Sequence, residues 1–167
     1  MAASPIKQHD SEVSLRLADI HAAPGHLIRR SQQIAVAIFH DELAGFGITP
    51  VQYASLVAIQ DNPGIDQRTL VKLVAIDRST VGGLLRRLED RGLIHRVSPA
   101  HNQRIKQLSI TAMGHATLAA AAAVVQAAQA RILAPLEPAE RREFLRLISK
   151  LVQLNNEFSR APLAAIA

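Results

Sequence analysis

Cysteine is absent from the 167 residues, which excludes a disulfide framework, a cysteine-ligated zinc module and thiol catalysis. Tryptophan is absent as well, and the aromatic complement is Tyr53 with Phe39, Phe46, Phe144 and Phe158. A core must therefore be assembled mainly from Leu, Ile, Val and Ala, as in helical proteins. No apolar run approaches the roughly 20 residues of a membrane span, and the polar opening around Lys7–Glu12 has no signal-peptide core. These absences lead us to expect a cytoplasmic protein without a membrane partner. Motifs of catalysis are missing too: no HExxH, no glycine-rich phosphate loop and no serine elbow. The seven histidines make no tight ligand pair, the nearest being His21 and His26 across the Pro24-Gly25 break. We therefore expect no metal, no cofactor and no enzymatic activity.

What is present is a 49% hydrophobic, 20% charged chain, too apolar to be disordered throughout and long enough for one compact domain. Its formal charge of +5 is unevenly placed. Residues 66–111 carry nine Lys and Arg against four Asp and Glu, and the rest of the chain is balanced. A basic middle between neutral flanks fits either a polyanion-binding module or a solvated basic face.

Residues 1–10 lack periodicity and read as a flexible arm. A short helix is expected within 11–22, interrupted by Pro24 and Gly25, then a longer one from His26 to about Ala44. Thr49-Pro50 opens another helix, Thr supplying the N-cap and Pro tolerating the first turn. Asp66 caps a short helix through Val74, and Asp77 caps the next, from Arg78 to Arg91, closed by Gly92. Ile94–Val97 and Arg104–Ile110 read as a hairpin with a long tip. Thr111 caps an alanine-rich helix to about Ala134. A last helix over Ala139–Ser159 carries Phe144, Leu147, Ile148, Leu151, Leu154 and Phe158 as one stripe.

Two short capped helices joined by a tight turn and followed by a hairpin describe a winged helix-turn-helix. On the second of these helices Val81, Leu84, Leu85 and Leu88 share one face. Ser79, Gly83, Arg86 and Asp90 lie opposite, flanked by Arg78, Thr80 and Arg87. Small hydroxyls, glycine and arginine can enter a major groove without clash, reading base edges or gripping phosphates. The adjacent Gly82 and Gly83 cost roughly 1 kcal/mol each against alanine in a helix interior. Close approach of DNA would explain them, and so would a packing notch against a neighbouring helix.

The stretch GITPVQYASLVAIQDNPGIDQRTLVKLVAIDRSTVGGLLRRLEDRGLIHR, followed by the wing and LSITAMG, resembles the MarR family of bacterial transcription regulators. The resemblance spans about residues 46–114, and its DRSTV…L..LE..GLI.R core is specific. It implies a mainly α fold with a small β-hairpin wing, in which a winged helix-turn-helix lobe joins a helical dimerisation region. The divisions expected are an arm (1–10), N-terminal dimerisation helices (11–47), the DNA-binding lobe (48–111) and C-terminal dimerisation helices (112–167). The implied partners are a second copy of the chain and a double-stranded palindromic operator, with the recognition helix in the major groove and the wing in the minor groove. Arg78, Ser79, Thr80 and Arg86 match recognition-helix contacts, and Thr69 and Lys72 match phosphate-facing positions. Arg104 matches the wing arginine, with Gly83 on the same outward recognition face. Where the family commonly has an aspartate two residues before the wing arginine, this chain has Asn102, which supplies no charge to orient the guanidinium.

The alanines at 119–123, 127, 128 and 130 would let helices approach closely, and the Phe144–Phe158 stripe is wider than a small lobe needs. Both features fit a dimer interface, or an ordinary intramolecular core. Regulators resembling this chain often respond to small organic anions, including aromatic carboxylates and their thioesters. His26, Arg29 and Arg30 offer cations for such an effector and Tyr53 a stacking wall, although surface cations and a half-buried tyrosine account for them more simply. The expected function is thus a repressor released from DNA by a small organic acid or thioester. The alternative is an architectural DNA binder tolerant of sequence and without an effector.

Overall fold

The structure, a computed structural model, describes residues 16–99 and 105–164. These contain α1 (Leu17–Ala22), α2 (Pro24–Glu42), α3 (Pro50–Asp61), β1 (Ile65–Asp66), α4 (Gln67–Val74), α5 (Arg78–Asp90), β2 (Ile94–Val97), β3 (Gln107–Ile110), α6 (Ala112–Ile132) and α7 (Pro138–Leu154). Short 3-10 turns cover Ala44–Phe46 and Asn156–Phe158. The expected arm, the wing tip from Ala100 to Gln103 and Arg104 lie outside the described residues. Helix dominates, with one small antiparallel sheet, as the sequence led us to expect.

Two compact units divide the chain, one ending at Ile34 and the other beginning at Ala35. In the first, the described residues are α1 and the start of α2. The interruption falls where expected, α1 ending at Ala22, but α2 starts two residues earlier than expected: Pro24 is its first residue, where its missing N–H would have no helical partner anyway. The His21 and His26 rings face one another across this junction, with centroids 5.0 Å apart.

The second unit holds the core. Leu56 and Ile59 of α3, Leu70 of α4, Val81, Leu84, Leu85 and Leu88 of α5, and Leu93, Ile94 and Leu108 around the sheet form one buried cluster. Leu118, Ala121 and Ala128 of α6 join it, as do Phe39 and Leu43 at the end of α2. The helix starts follow the sequence. Thr49 accepts from the Gln52 N–H while Gln52 Oε1 accepts from the Thr49 N–H (3.3 and 2.9 Å), a reciprocal capping box. Asp66 accepts from the Thr69 N–H at 2.8 Å, and Thr111 from the Gly114 N–H at 2.9 Å. Asp77 departs from expectation: it occupies the N-cap of α5, but its side chain makes no capping bond. Because Asp66 satisfies a donor at the start of the short α4, Asp66→Ala should lower stability by about 1 kcal/mol, read from the urea midpoint.

The sheet has the order β1-β3-β2, with Ile65 opposite Leu108, and Ile94 opposite Ile110. The second strand of the hairpin, β3, which lies in the middle of the sheet, is shorter than expected, starting at Gln107 rather than at position 104. The third strand, β1, was not anticipated; its two residues sit directly before α4 and fix the base of that helix to the hairpin.

The last helix also ends earlier than expected, at Leu154, and Phe158 falls in the 3-10 turn beyond it. No residue of α7 is buried. Phe144 is 41% exposed, Leu147 50%, Leu151 46% and Leu154 68%, so the stripe does not serve an intramolecular core. Of the alanine run in α6, Ala121 and Ala128 are buried, whereas Ala119, Ala120, Ala122, Ala123, Ala127 and Ala130 stay exposed.

Candidate nucleic-acid interface

Between α4 and α5 the chain turns through Ala75, which takes a left-handed conformation (φ 49°), and Ile76 N–H closes on Val71 O at 3.2 Å. The turn aims α5 so that its leucine face is wholly buried and its opposite face is open. Arg78, Ser79, Thr80, Gly82, Gly83, Arg86 and Arg87 are all exposed. Among the described residues, neither Arg78 nor Arg86 has a hydrogen-bond or ion-pair partner. Both guanidiniums are exposed, and so are free to take an external anion.

The start of α5 forms one wall of an open groove of about 630 Å³. Arg68 from α4, Arg78 from α5 and Lys106 from the run into β3 surround it, over a floor of Val71 and Val81. Among the described residues that line it, the one acid is Asp66, whose carboxylate is engaged in capping α4. Three converging cations with one occupied carboxylate give this concavity a positively charged lining, the kind that attracts polyanions. Arg68 and Lys106 were not singled out from the sequence. Only strand pairing between β1 and β3 brings them together, and that pairing leaves no local signal.

Three contacts hold this surface rigid. The Arg96 guanidinium, on β2, pairs with the Glu89 carboxylate near the end of α5, its Nε donating at 2.7 Å. That bond holds the Glu89 carboxyl below the usual glutamate value. Arg91 donates to the backbone oxygens of Gly47 and Phe46 at 2.5 and 2.7 Å, tying the end of α5 to the turn before α3. Thr111 donates to Gly92 O at 2.6 Å, locking the hairpin to α6.

The structure therefore places Arg78, Ser79, Thr80, Gly83 and Arg86 on one exposed face, with Thr69 and Lys72 exposed on α4. The Lys72 backbone oxygen accepts from the Ala164 N–H at 2.9 Å, and the residue is exposed. Gly82 faces open space: a Cβ there would meet nothing within 4 Å, so no packing notch explains it. At Gly83 a Cβ would meet only Arg87, at 3.8 Å.

The residues considered for an effector divide between the units, His26, Arg29 and Arg30 in the first and Tyr53 in the second. Arg29 and Arg30 are exposed, and Arg30 donates to Gln33 at 3.3 Å. Desolvation, then the charges of Arg29, His21 and Arg30, hold the His26 imidazole below the usual histidine value. Tyr53 is half-buried and meets Phe39 edge-on at 6.4 Å.

Comparison with known proteins agrees with this geometry. The profile of the MarR family matches residues 46–105. The transcriptional regulator HosA of Escherichia coli is 32% identical over 127 residues, covering 76% of this chain and 93% of HosA. The transcriptional repressor Rv2887 of Mycobacterium tuberculosis is 32% identical over 135 residues, covering 81% and 96%. Its complex with salicylic acid superposes with a TM-score of 0.61 at 31% identity, covering 78% of this chain and 96% of that one. The repressor CouR, bound to a 23-mer DNA duplex, superposes at 0.74 with 26% identity, covering 83% and 99%.

Proposed function

The chain belongs to the MarR family of transcription regulators, and from that premise we propose that it represses transcription as a dimer on a palindromic operator. Residues 48–111 act as the DNA-binding lobe and the helices of 11–47 and 112–167 as the dimerisation region, in the cytoplasm. The observation that carries this reading is the open face of α5, with Arg78 and Arg86 unpaired beside a groove lined by Arg68 and Lys106. Arg78, Ser79, Thr80, Gly83 and Arg86 read the major groove, Thr69 and Lys72 hold phosphates, and Arg104 enters the minor groove of the operator. A narrow minor groove concentrates negative potential, which suits a guanidinium.

A small aromatic acid or its thioester releases the protein from DNA, its anionic group held by Arg29, Arg30 and His26. Support comes from the exposed Arg29 and Arg30 beside His26 and from the relative that was solved with salicylic acid. The effector acts by favouring a lobe spacing that no longer matches successive major grooves, which are roughly 34 Å apart.

Selection of bound duplexes from a random pool, repeated with candidate aromatic acids, tests the reading. One enriched palindrome is expected, lost when the effector is added. Uniform coating of any duplex in a footprint would instead establish the architectural alternative. On the selected duplex, Arg86→Ala should weaken binding by about 1–3 kcal/mol without altering the fold. Unchanged affinity in a titration at fixed salt would remove Arg86 from the interface.

A further inference from the structure

Resting on that reading, we infer that Gly82 and Gly83 form a side-chain-free notch in the recognition helix that accepts the C5 methyl group of an operator thymine. The pair sits in the interior of α5, where glycine is the poorest helix former apart from proline. Among the described residues nothing asks for it. A Cβ on Gly82 would stand in open space, and one on Gly83 would make only ordinary contact with a flexible arginine tip. Both backbone angles are helical, so no left-handed turn requires glycine either. The demand then comes from what this open face meets.

Position identifies its source. Helical spacing puts Gly82 between Arg78 and Arg86, and Gly83 between Ser79 and Arg87, so the bare patch lies at the centre of the exposed face. The cations at either end would grip phosphates or guanines, while the helix backbone between them comes closer to the base edges than any Cβ would allow. Within a helix the N–H groups are already bonded to carbonyls one turn back, so the bare patch offers bases no donor. It can select only by shape and apolar contact. In the major groove the apolar feature that protrudes from a base edge is the thymine C5 methyl. Adding a methyl to the protein at 82 or 83 would fill the space meant for the methyl on the DNA.

The test uses the intact protein, the duplex that it enriches from a random pool, and an unrelated duplex of equal length. Gly83→Ala and Gly82→Ala should each melt about 2–4 °C higher than the parent, since alanine favours the helix. Each should bind the enriched duplex roughly tenfold more weakly, with affinity for the unrelated duplex unchanged. Replacing thymine by deoxyuridine, one position at a time, removes only the methyl. One position per half-site should cost the parent several-fold in affinity and cost Gly83→Ala nothing. If both alanine variants bind as tightly as the parent while Arg86→Ala still weakens binding, the notch is refuted and the regulator reading stands. A parent indifferent to deoxyuridine at every position refutes the methyl assignment. Failure to enrich any duplex overturns the reading beneath it and the notch together.

Discussion

Gly114→Ala is expected to destabilise the protein by about 3 kcal/mol, at the upper end of the range for forcing an extra methyl group into a packed site. A Cβ at this position would stand 2.3 Å from the Leu93 carbonyl oxygen and 2.6 Å from Ile110 Cγ1. Neither neighbour can yield cheaply. Leu93 O accepts from the Thr111 N–H at 3.1 Å, and Ile110 lies on β3, opposite Ile94 of β2. The Thr111 hydroxyl meanwhile donates to Gly92 O and accepts from the Gly114 N–H, at 2.6 and 2.9 Å. Moving α6 away from the hairpin would therefore break the bonds that join them, including the N-cap of α6. Against this stands alanine's better helix propensity, worth roughly 1 kcal/mol, and it is too small to win. Urea unfolding should show a lower midpoint at an unchanged slope. A midpoint equal to or above the parent's would mean that the junction is loose and that propensity governs. The same substitution at Gly82, where the space is open, is expected to have the opposite sign.

That contrast marks what the sequence can and cannot express. The caps at Thr49, Asp66 and Thr111 were legible because each bond spans only three residues, so residue type at fixed spacing specifies it. The buried face of α5 was legible because a 3.6-residue period needs no tertiary information. Gly82 and Gly114 look alike in the sequence, each a glycine in a helix, yet one faces solvent and the other a carbonyl oxygen. The start of α2 was read two residues late, at His26, because proline both stops and starts helices, and only its position relative to the first turn decides which. The strand β1 carried no period at two residues long, and its partner is Leu108, far along the chain. The same distance hid the convergence of Arg68 and Lys106 on the groove. Arg91 was counted as one more basic residue of the middle segment. Its guanidinium instead brackets the turn before α3, a role that depends on where Phe46 and Gly47 come to lie.

Replacing Leu147 and Leu151 together by glutamate is expected to convert the proposed dimer to monomers and to weaken operator binding at least 100-fold. Both side chains lie on α7, about half exposed, and belong to no buried cluster of their own chain. With Phe144 and Leu154 they form an apolar surface that a monomer would have no reason to leave facing water. Two carboxylates placed there would be desolvated without partners in the proposed interface, at a cost of several kcal/mol. The same carboxylates on a free helix face would be hydrated and harmless. The thermal melt of each lobe should therefore survive while the assembly does not. Loss of binding follows from geometry rather than from altered contacts. Two linked lobes engage a two-fold operator with an effective concentration near millimolar for the second half-site, and separation removes that term entirely. Light scattering on the variant should report the monomer mass, and titration should show the affinity of a single half-site. A dimer mass at unchanged affinity would place the interface elsewhere and leave the stripe on α7 without a partner. A monomer mass at unchanged operator affinity would show that one lobe suffices. The palindrome would then reflect two independent binding events and not a rigid frame.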